Sequence, residues 1–352
     1  MDFATAIPEP FARLLPSAAL LAYRIDIEAD AIELVQVDRA FYRQAVFLDQ
    51  RAFAGRRFDG LRTRLSLVAA GLPESIPPLG FLFHIGHTGS TLISRSLDGL
   101  PGVLGLREPL PLLALVAAAD GLNTPLARWS AAQFQALTDT VRGLLARGFA
   151  ATDRPLIKAS SVVSVLAEQL LRPCDHALFL GLPLTRYLAT LLRDPGLRTA
   201  ARASTRPRLA EYLDRVGDDA TRLYQLKDSE YIALSWLIDA DRAGRLCSRQ
   251  GNRGRMLLLD FETWLVDPAA SLTQIATTFG LAHSGDQIER ALRQAEPGRY
   301  AKDQQQVFDT HTRQRELELA QRQYADEIDQ GRRFVERILT KHPGQFAPAW
   351  AV

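Results

Sequence analysis

Lysine is scarce in this chain: it occurs only at Lys158, Lys227, Lys302 and Lys341, while 42 of the 352 residues are basic. Arginine does nearly all the cationic work, so a lysine marks a place where a compact ammonium stands instead of a planar guanidinium. Cysteine is scarcer still. Cys174 and Cys247 cannot build a disulfide framework, and neither lies near a second Cys or His at metal-ligand spacing. The histidines other than His87 also lack paired spacing, so no metal is expected. No stretch reaches the ~18 apolar residues that span a bilayer, and Met1 to Pro8 place no basic segment ahead of an apolar one. A reducing, cytoplasmic compartment is expected, with no membrane partner. Charge of one sign is lacking as well. The 42 basic and 40 acidic residues are spread along the chain and leave a net charge of +2, so no run offers the positive field of a nucleic-acid binder.

What remains is the usage of a globular protein, 47% hydrophobic and 23% charged, in a chain long enough for one α/β domain with appendages. Residues 1–75 read as a helical N-terminal appendage, with Phe41, Ala45, Val46 and Leu48 on part of an apolar face within 32–53. Breakers from Gly71 to Pro78 separate it from a main domain at 76–352. The run Phe81-Leu82-Phe83-His84-Ile85 then has the character of a strand buried on both faces. Further strands are predicted at 103–106, 155–158, 177–180 and 255–259. Helices are predicted at 91–98, 109–119, 131–147 and 162–171, in a segment running into Arg193, and at 229–243, 268–279 and 314–339. Such alternation predicts an α/β fold with a central parallel sheet and helices on both faces. The arginine-rich stretch 196–226 is poorly patterned and is expected to form a lid or substrate loop.

Between the first core strand and its helix stands Gly86-His87-Thr88-Gly89-Ser90-Thr91. A glycine turn at this point aims several backbone N–H groups at one spot, where the helix dipole is positive, and that spot binds phosphate. The hydroxyls of Thr88, Ser90 and Thr91 add donors. The structural alternative is a plain strand-to-helix turn capped by Ser90 or Thr88. It is not the loop of an ATP- or GTP-hydrolysing protein, since the chain contains no Gly-Lys pair.

His87-Thr88-Gly89-Ser90-Thr91-Leu92 resembles the 5′-phosphosulfate loop of sulfotransferases that use 3′-phosphoadenosine 5′-phosphosulfate, of the bacterial type. Leu106-Arg107-Glu108-Pro109, Ile157-Lys158-Ala159-Ser160, and Asp260-Phe261-Glu262 with Leu265, Asp267-Pro268 and Phe279-Gly280-Leu281 extend the resemblance over about 81–303. It implies a three-layer P-loop-like fold and a sulfuryl transfer from that donor to a hydroxyl or amine of a small-molecule acceptor. It also implies roles: Glu108 as the base, Lys158 and His87 on the leaving phosphate, and Gly86 to Leu92 holding the donor with Arg186, Arg299 and Lys302. One departure stands out. Where the family places an Arg and a Ser for the donor's 3′-phosphate, this chain has Gly181 and Ala189. Arg186, Arg193 or the turn Gly298-Arg299-Tyr300-Ala301-Lys302 are the substitutes.

Each of these residues has a plainer role open to it. Glu108 and Lys158 can be ion-pair partners, His87 is charged only below about pH 6.5, and single arginines are mostly solvated. Two other functions stay open at this level. A nucleotide-dependent kinase needs a Mg²⁺ carboxylate and a phosphate-clamping lysine from outside the loop; a non-catalytic nucleotide- or ligand-binding relative needs neither.

Overall fold

Strands, and not helices, occupy most of residues 20–36 and 60–64. The computed structural model describes residues 6–122, 124–217, 219–295 and 310–352, so the turn with Arg299 and Lys302 lies outside the described residues. Strands β1 (Leu20–Asp26), β2 (Ala31–Gln36) and β3 (Gly60–Arg64) form an antiparallel sheet in which Leu20 pairs with Gln36 and Asp26 with Ala31. Ile32 and Leu34 turn inward and join Leu15, Leu20, Ala22, Leu65, Val68 and Leu144 in one apolar cluster. Glu33, between them, stays partly exposed because successive strand side chains face opposite ways. The helical reading of 32–53 survives only in Arg39–Gln44 and Gln50–Phe53. Each begins at a new cap, Asp38 accepting from the Phe41 amide at 2.7 Å and Asp49 from the Arg51 amide at 2.9 Å. The N-terminal appendage is thus mixed helix and strand.

Two units divide the chain, one of residues 1–83, 91–177 and 272–295, the other of 84–90, 178–271 and 296–352. In the first, β4 (Gly80–His84), β5 (Val103–Arg107) and β6 (Arg154–Lys158) are parallel in the order β5-β6-β4. Phe81, Leu82 and Phe83 are buried, as strands covered on both faces must be. Parallel neighbours need long crossovers. The helix Ser90–Asp98 leads from β4 to β5, and Pro111–Ala118 with Ala131–Leu145 leads from β5 to β6. Lys158 lies in register with Leu82 on one side and Arg107 on the other, so these strands end at one edge. The α/β class with a parallel sheet is the one the alternation predicts.

In the second unit β7 (His176–Gly181) neighbours β8 (Met256–Asp260). Residues 196–226 differ from the expected loop: Pro195–Val216 is one helix of 22 residues. Asp194 caps it, accepting from the Gly196 amide at 2.7 Å, and Pro195 supplies a preset first turn. Three of its arginines, Arg202, Arg208 and Arg215, bond carboxylates of the helix Asp228–Ser248. Arg208 bonds buried Asp239 through Nε at 3.0 Å and Nη2 at 2.7 Å, and Arg242 joins the same carboxylate at 2.7 Å. The two guanidiniums hold Asp239 below the usual carboxylate range despite the opposing effect of its burial. The polar helix expected at 314–339 is two helices, Thr310–Gln323 and Ala325–Lys341, broken at Tyr324. Asp326 and Glu327 favour the second start by lying in its first turn. No described helix is long and apolar enough to cross a membrane.

Candidate functional site

β4 runs out at His84, and the chain turns at once. The Ile85 amide donates to the Leu180 carbonyl at 3.3 Å, the Ile85 carbonyl accepts from the Tyr187 hydroxyl at 2.7 Å, and the Gly86 amide donates to His84 Nδ1 at 3.0 Å. Burial pushes the Tyr187 phenol above its ordinary range, which keeps that hydroxyl protonated and donating. Beyond this anchor φ is +91° at Gly86, +56° at His87 and +68° at Gly89. Backbone that alternates into the left-handed region turns successive amides toward one side, the geometry of an anion nest. The helix Ser90–Asp98 follows without a spacer.

The loop's side chains differ in setting. His87 is exposed at the tip, Ser90 and Thr91 are buried, and Leu92 is partly so. Thr88 is fully buried, and its Oγ1 has no hydrogen-bond partner among the described residues. Gly89 rests on the ring of Phe261, with which any Cβ at this position would overlap. Phe261 follows the end of β8 and carries the Arg313 guanidinium 5.2 Å from its ring centroid. Arg313 Nη2 in turn donates to Glu262 Oε1 at 2.7 Å. Asp260 caps this corner by accepting from the Glu262 amide at 2.8 Å. Burial and the neighbouring Glu262 raise its carboxyl above the usual range, against the pull of that bond, Arg313 and Arg186.

Arg186 Nη1 reaches Gln314 Oε1, next to Arg313 in the chain, at 3.4 Å. Arg193 is paired with Glu316 at 2.6 Å. Sequence reasoning missed Arg313, one arginine among several on a polar helix. Nothing local distinguishes it, since its burial comes from Phe261 and Glu262, far away in the chain.

The positions that depart from the family pattern are closed. A Cβ at Gly181 would overlap the indole of Trp350, and Ala189 is fully buried. The segment bearing Trp350 is fixed in place: the Leu184 amide donates to the Ala351 carbonyl at 2.8 Å, and the Ala347 amide to Asp241 Oδ1 at 2.8 Å. Gly181→Arg must therefore expel a buried tryptophan, and a loss of about 3–5 kcal/mol is expected. Chemical denaturation measures it; a variant as stable as the wild type would show that the strand end has room.

Glu108 and Lys158 come together in the first unit. The Glu108 amide donates to the Lys158 carbonyl at 2.7 Å, and the two side chains form an ion pair. The Lys158 side chain is 1% exposed and that of Glu108 22%, so the carboxylate is the part that solvent reaches. The Phe47 ring lies 5.2 Å from Lys158 Nζ and carries the Arg51 guanidinium at 4.1 Å. Asp49 orients Arg51 through both its oxygens, each 2.9 Å from Nε. Buried Arg107 ties this segment to the strand ends, donating to the Ala45 carbonyl at 2.9 Å while its own carbonyl accepts from the Leu48 amide at 2.7 Å. Four non-glycine residues among those described have positive φ, and two of them are His87 and Glu108. Such strain costs about 1–2 kcal/mol per residue and gathers at functional sites.

No family model and no curated protein matches the chain. Solved structures similar to it include the sulfotransferase domain of a Synechococcus olefin synthase, 17% identical over 62% of this chain and 78% of that one, with a TM-score of 0.37. A sulfotransferase of Mycobacterium avium is 16% identical over 74% of this chain and 78% of its own, with a TM-score of 0.38. Retinol dehydratase, solved with retinol and PAP, is 12% identical over 97% and 98% of the two chains, with a TM-score of 0.38.

Proposed function

We propose that this chain is a sulfotransferase that moves a sulfuryl group from 3′-phosphoadenosine 5′-phosphosulfate to a hydroxyl or amine of a small-molecule acceptor. The observation that carries the reading is the turn at 86–90, where positive φ at Gly86, His87 and Gly89 leads from a buried parallel strand straight into a helix. Amides so arranged, at the positive end of a helix dipole, favour an oxyanion. Ser90 and Thr91 add hydroxyl donors, and the order His87-Thr88-Gly89-Ser90-Thr91 resembles that of the phosphosulfate loop, with His at its basic position.

Sulfuryl transfer requires in-line alignment, a base for the acceptor proton and positive charge on the departing oxygen. In this proposal Glu108 accepts the acceptor's proton as the new sulfur–oxygen or sulfur–nitrogen bond forms. The sulfur–oxygen bond to the 5′-phosphate breaks, its electron pair stays on that phosphate, and adenosine 3′,5′-bisphosphate leaves. Lys158 supplies charge to the leaving oxygen, with His87 as a second donor. Arg186, Arg299 and Lys302 hold the rest of the nucleotide.

Calorimetric titration with adenosine 3′,5′-bisphosphate, AMP and ATP tests this. Binding of the bisphosphate at least tenfold tighter than AMP is expected, and absence of binding by all three would sink the proposal. The closure of Gly181 by Trp350 and the burial of Ala189 favour one second reading, a nucleotide-binding relative without activity. That reading predicts binding without release of bisphosphate from the donor.

A further inference from the structure

We propose that Arg313 is an anion-binding residue for the ligand of the glycine loop, and that Glu262 holds it in place until that anion arrives. The inference rests on the nucleotide-binding reading above and adds to it a cation which the loop resemblance does not contain.

The geometry has three parts. First, one aromatic ring serves two neighbours: Gly89 lies against Phe261 with no room for a Cβ, and the Arg313 guanidinium lies 5.2 Å from the centroid of the same ring. A guanidinium on an aromatic face is held in orientation by the ring quadrupole. Second, Arg313 is 9% exposed, and a cation so far removed from water requires an anion beside it. Glu262 is that anion at 2.7 Å, with a side chain 29% exposed against 10% for Arg313, so it lies on the wetter side of the pair. Third, a second guanidinium, Arg186, acts on the same corner, and the other carboxyl there, Asp260, is shifted toward its neutral form by burial.

The corner therefore sets the guanidiniums of Arg313 and Arg186 near the Glu262 carboxylate, which is the group bonded to Arg313. A planar guanidinium fork matches the oxygens of phosphate or sulfate, which makes Glu262 replaceable by an oxyanion of the nucleotide. Glu262 then competes with the ligand. Its removal tightens binding, and removal of Arg313 weakens it. A pair that only stabilised the fold would show no such opposition of sign.

The test is a titration of the full chain with adenosine 3′,5′-bisphosphate, for wild type, Arg313→Gln, Arg313→Lys and Glu262→Gln, with thermal unfolding of each. The expected results are at least tenfold weaker binding for Arg313→Gln, intermediate affinity for Arg313→Lys, and threefold or more tighter binding for Glu262→Gln. Arg313→Gln within twofold of wild type would overturn the assignment while the nucleotide reading stands. So would Glu262→Gln with affinity equal to or below wild type, and that variant decides alone if Arg313→Gln does not fold. A wild type that binds no bisphosphate overturns the nucleotide reading, and this assignment with it.

Discussion

Gly89→Ala is expected to abolish nucleotide binding and to cost the protein about 2–4 kcal/mol of stability, more than a methyl group on a loop normally does. Two penalties add. The backbone at Gly89 sits at φ +68°, where an L side chain meets its own carbonyl, and the new Cβ falls inside the Phe261 ring. Either the loop lifts, which scatters the amides, or Phe261 turns, which removes the seat of Arg313. Gly280 separates the two penalties. Its φ is +61° and nothing lies within 4 Å of its Cβ position, so Gly280→Ala carries the backbone term alone, about 1 kcal/mol. Combining Gly89→Ala with Phe261→Leu, which thins the ring, is expected to recover part of the stability. Calorimetry and thermal unfolding read both quantities. If Gly89→Ala binds the bisphosphate within threefold of wild type, the turn is not an anion site.

The Lys158–Glu108 pair yields the other large effect. Lys158 is the most deeply buried lysine described, and Glu108 is its counter-ion. Glu108→Ala strands an ammonium in the interior, and a loss of about 3–5 kcal/mol is expected. Removing both charges with Glu108→Gln and Lys158→Met is expected to return stability to within about 1 kcal/mol of wild type, because a neutral pair of similar volume leaves no buried charge to desolvate, and the Gln amide stands at the partly exposed end where solvent reaches it. Activity should not follow. With both its base and the cation on the leaving oxygen gone, the double variant is expected to release bisphosphate from the donor at least about 10²–10⁴-fold more slowly, while binding the nucleotide. Urea unfolding measures the first effect and bisphosphate release the second. A double variant as unstable as Glu108→Ala would deny the pair its structural weight; unchanged release would remove Glu108 from the chemistry.

Much of the fold was legible because it depends on local composition. Phe81-Leu82-Phe83 is apolar throughout, and a short run of that kind is stable only where both faces are covered. The same holds for the strands ending at Lys158 and Gly181, whereas Met256–Asp260, equally apolar up to Leu259, is mostly half-buried. The glycine loop was legible for a related reason, since a positive φ at Gly86 and Gly89 is a property of those residues before it is a property of their neighbours. Residues 20–36 were misread because alternation over six or seven residues is easily overlooked in a segment rich in helix formers. The arginine-rich stretch 196–216 read as a lid or substrate loop because its partners, Asp239 among them, stand on another helix.

Where each charge finds its opposite was beyond the one-dimensional pattern. Lys158 could be read as the last residue of a strand, but not as the partner of Glu108; Gly181 could be seen to lack a side chain, but not to be filled by Trp350. Arg313 carried no mark at all. Backbone conformation is set by a residue and its near neighbours, whereas an ion pair or a filled gap exists only once distant segments have packed, and the Lys158–Glu108 pair, the Arg313–Glu262 pair and the filling of Gly181 by Trp350 are of the second kind.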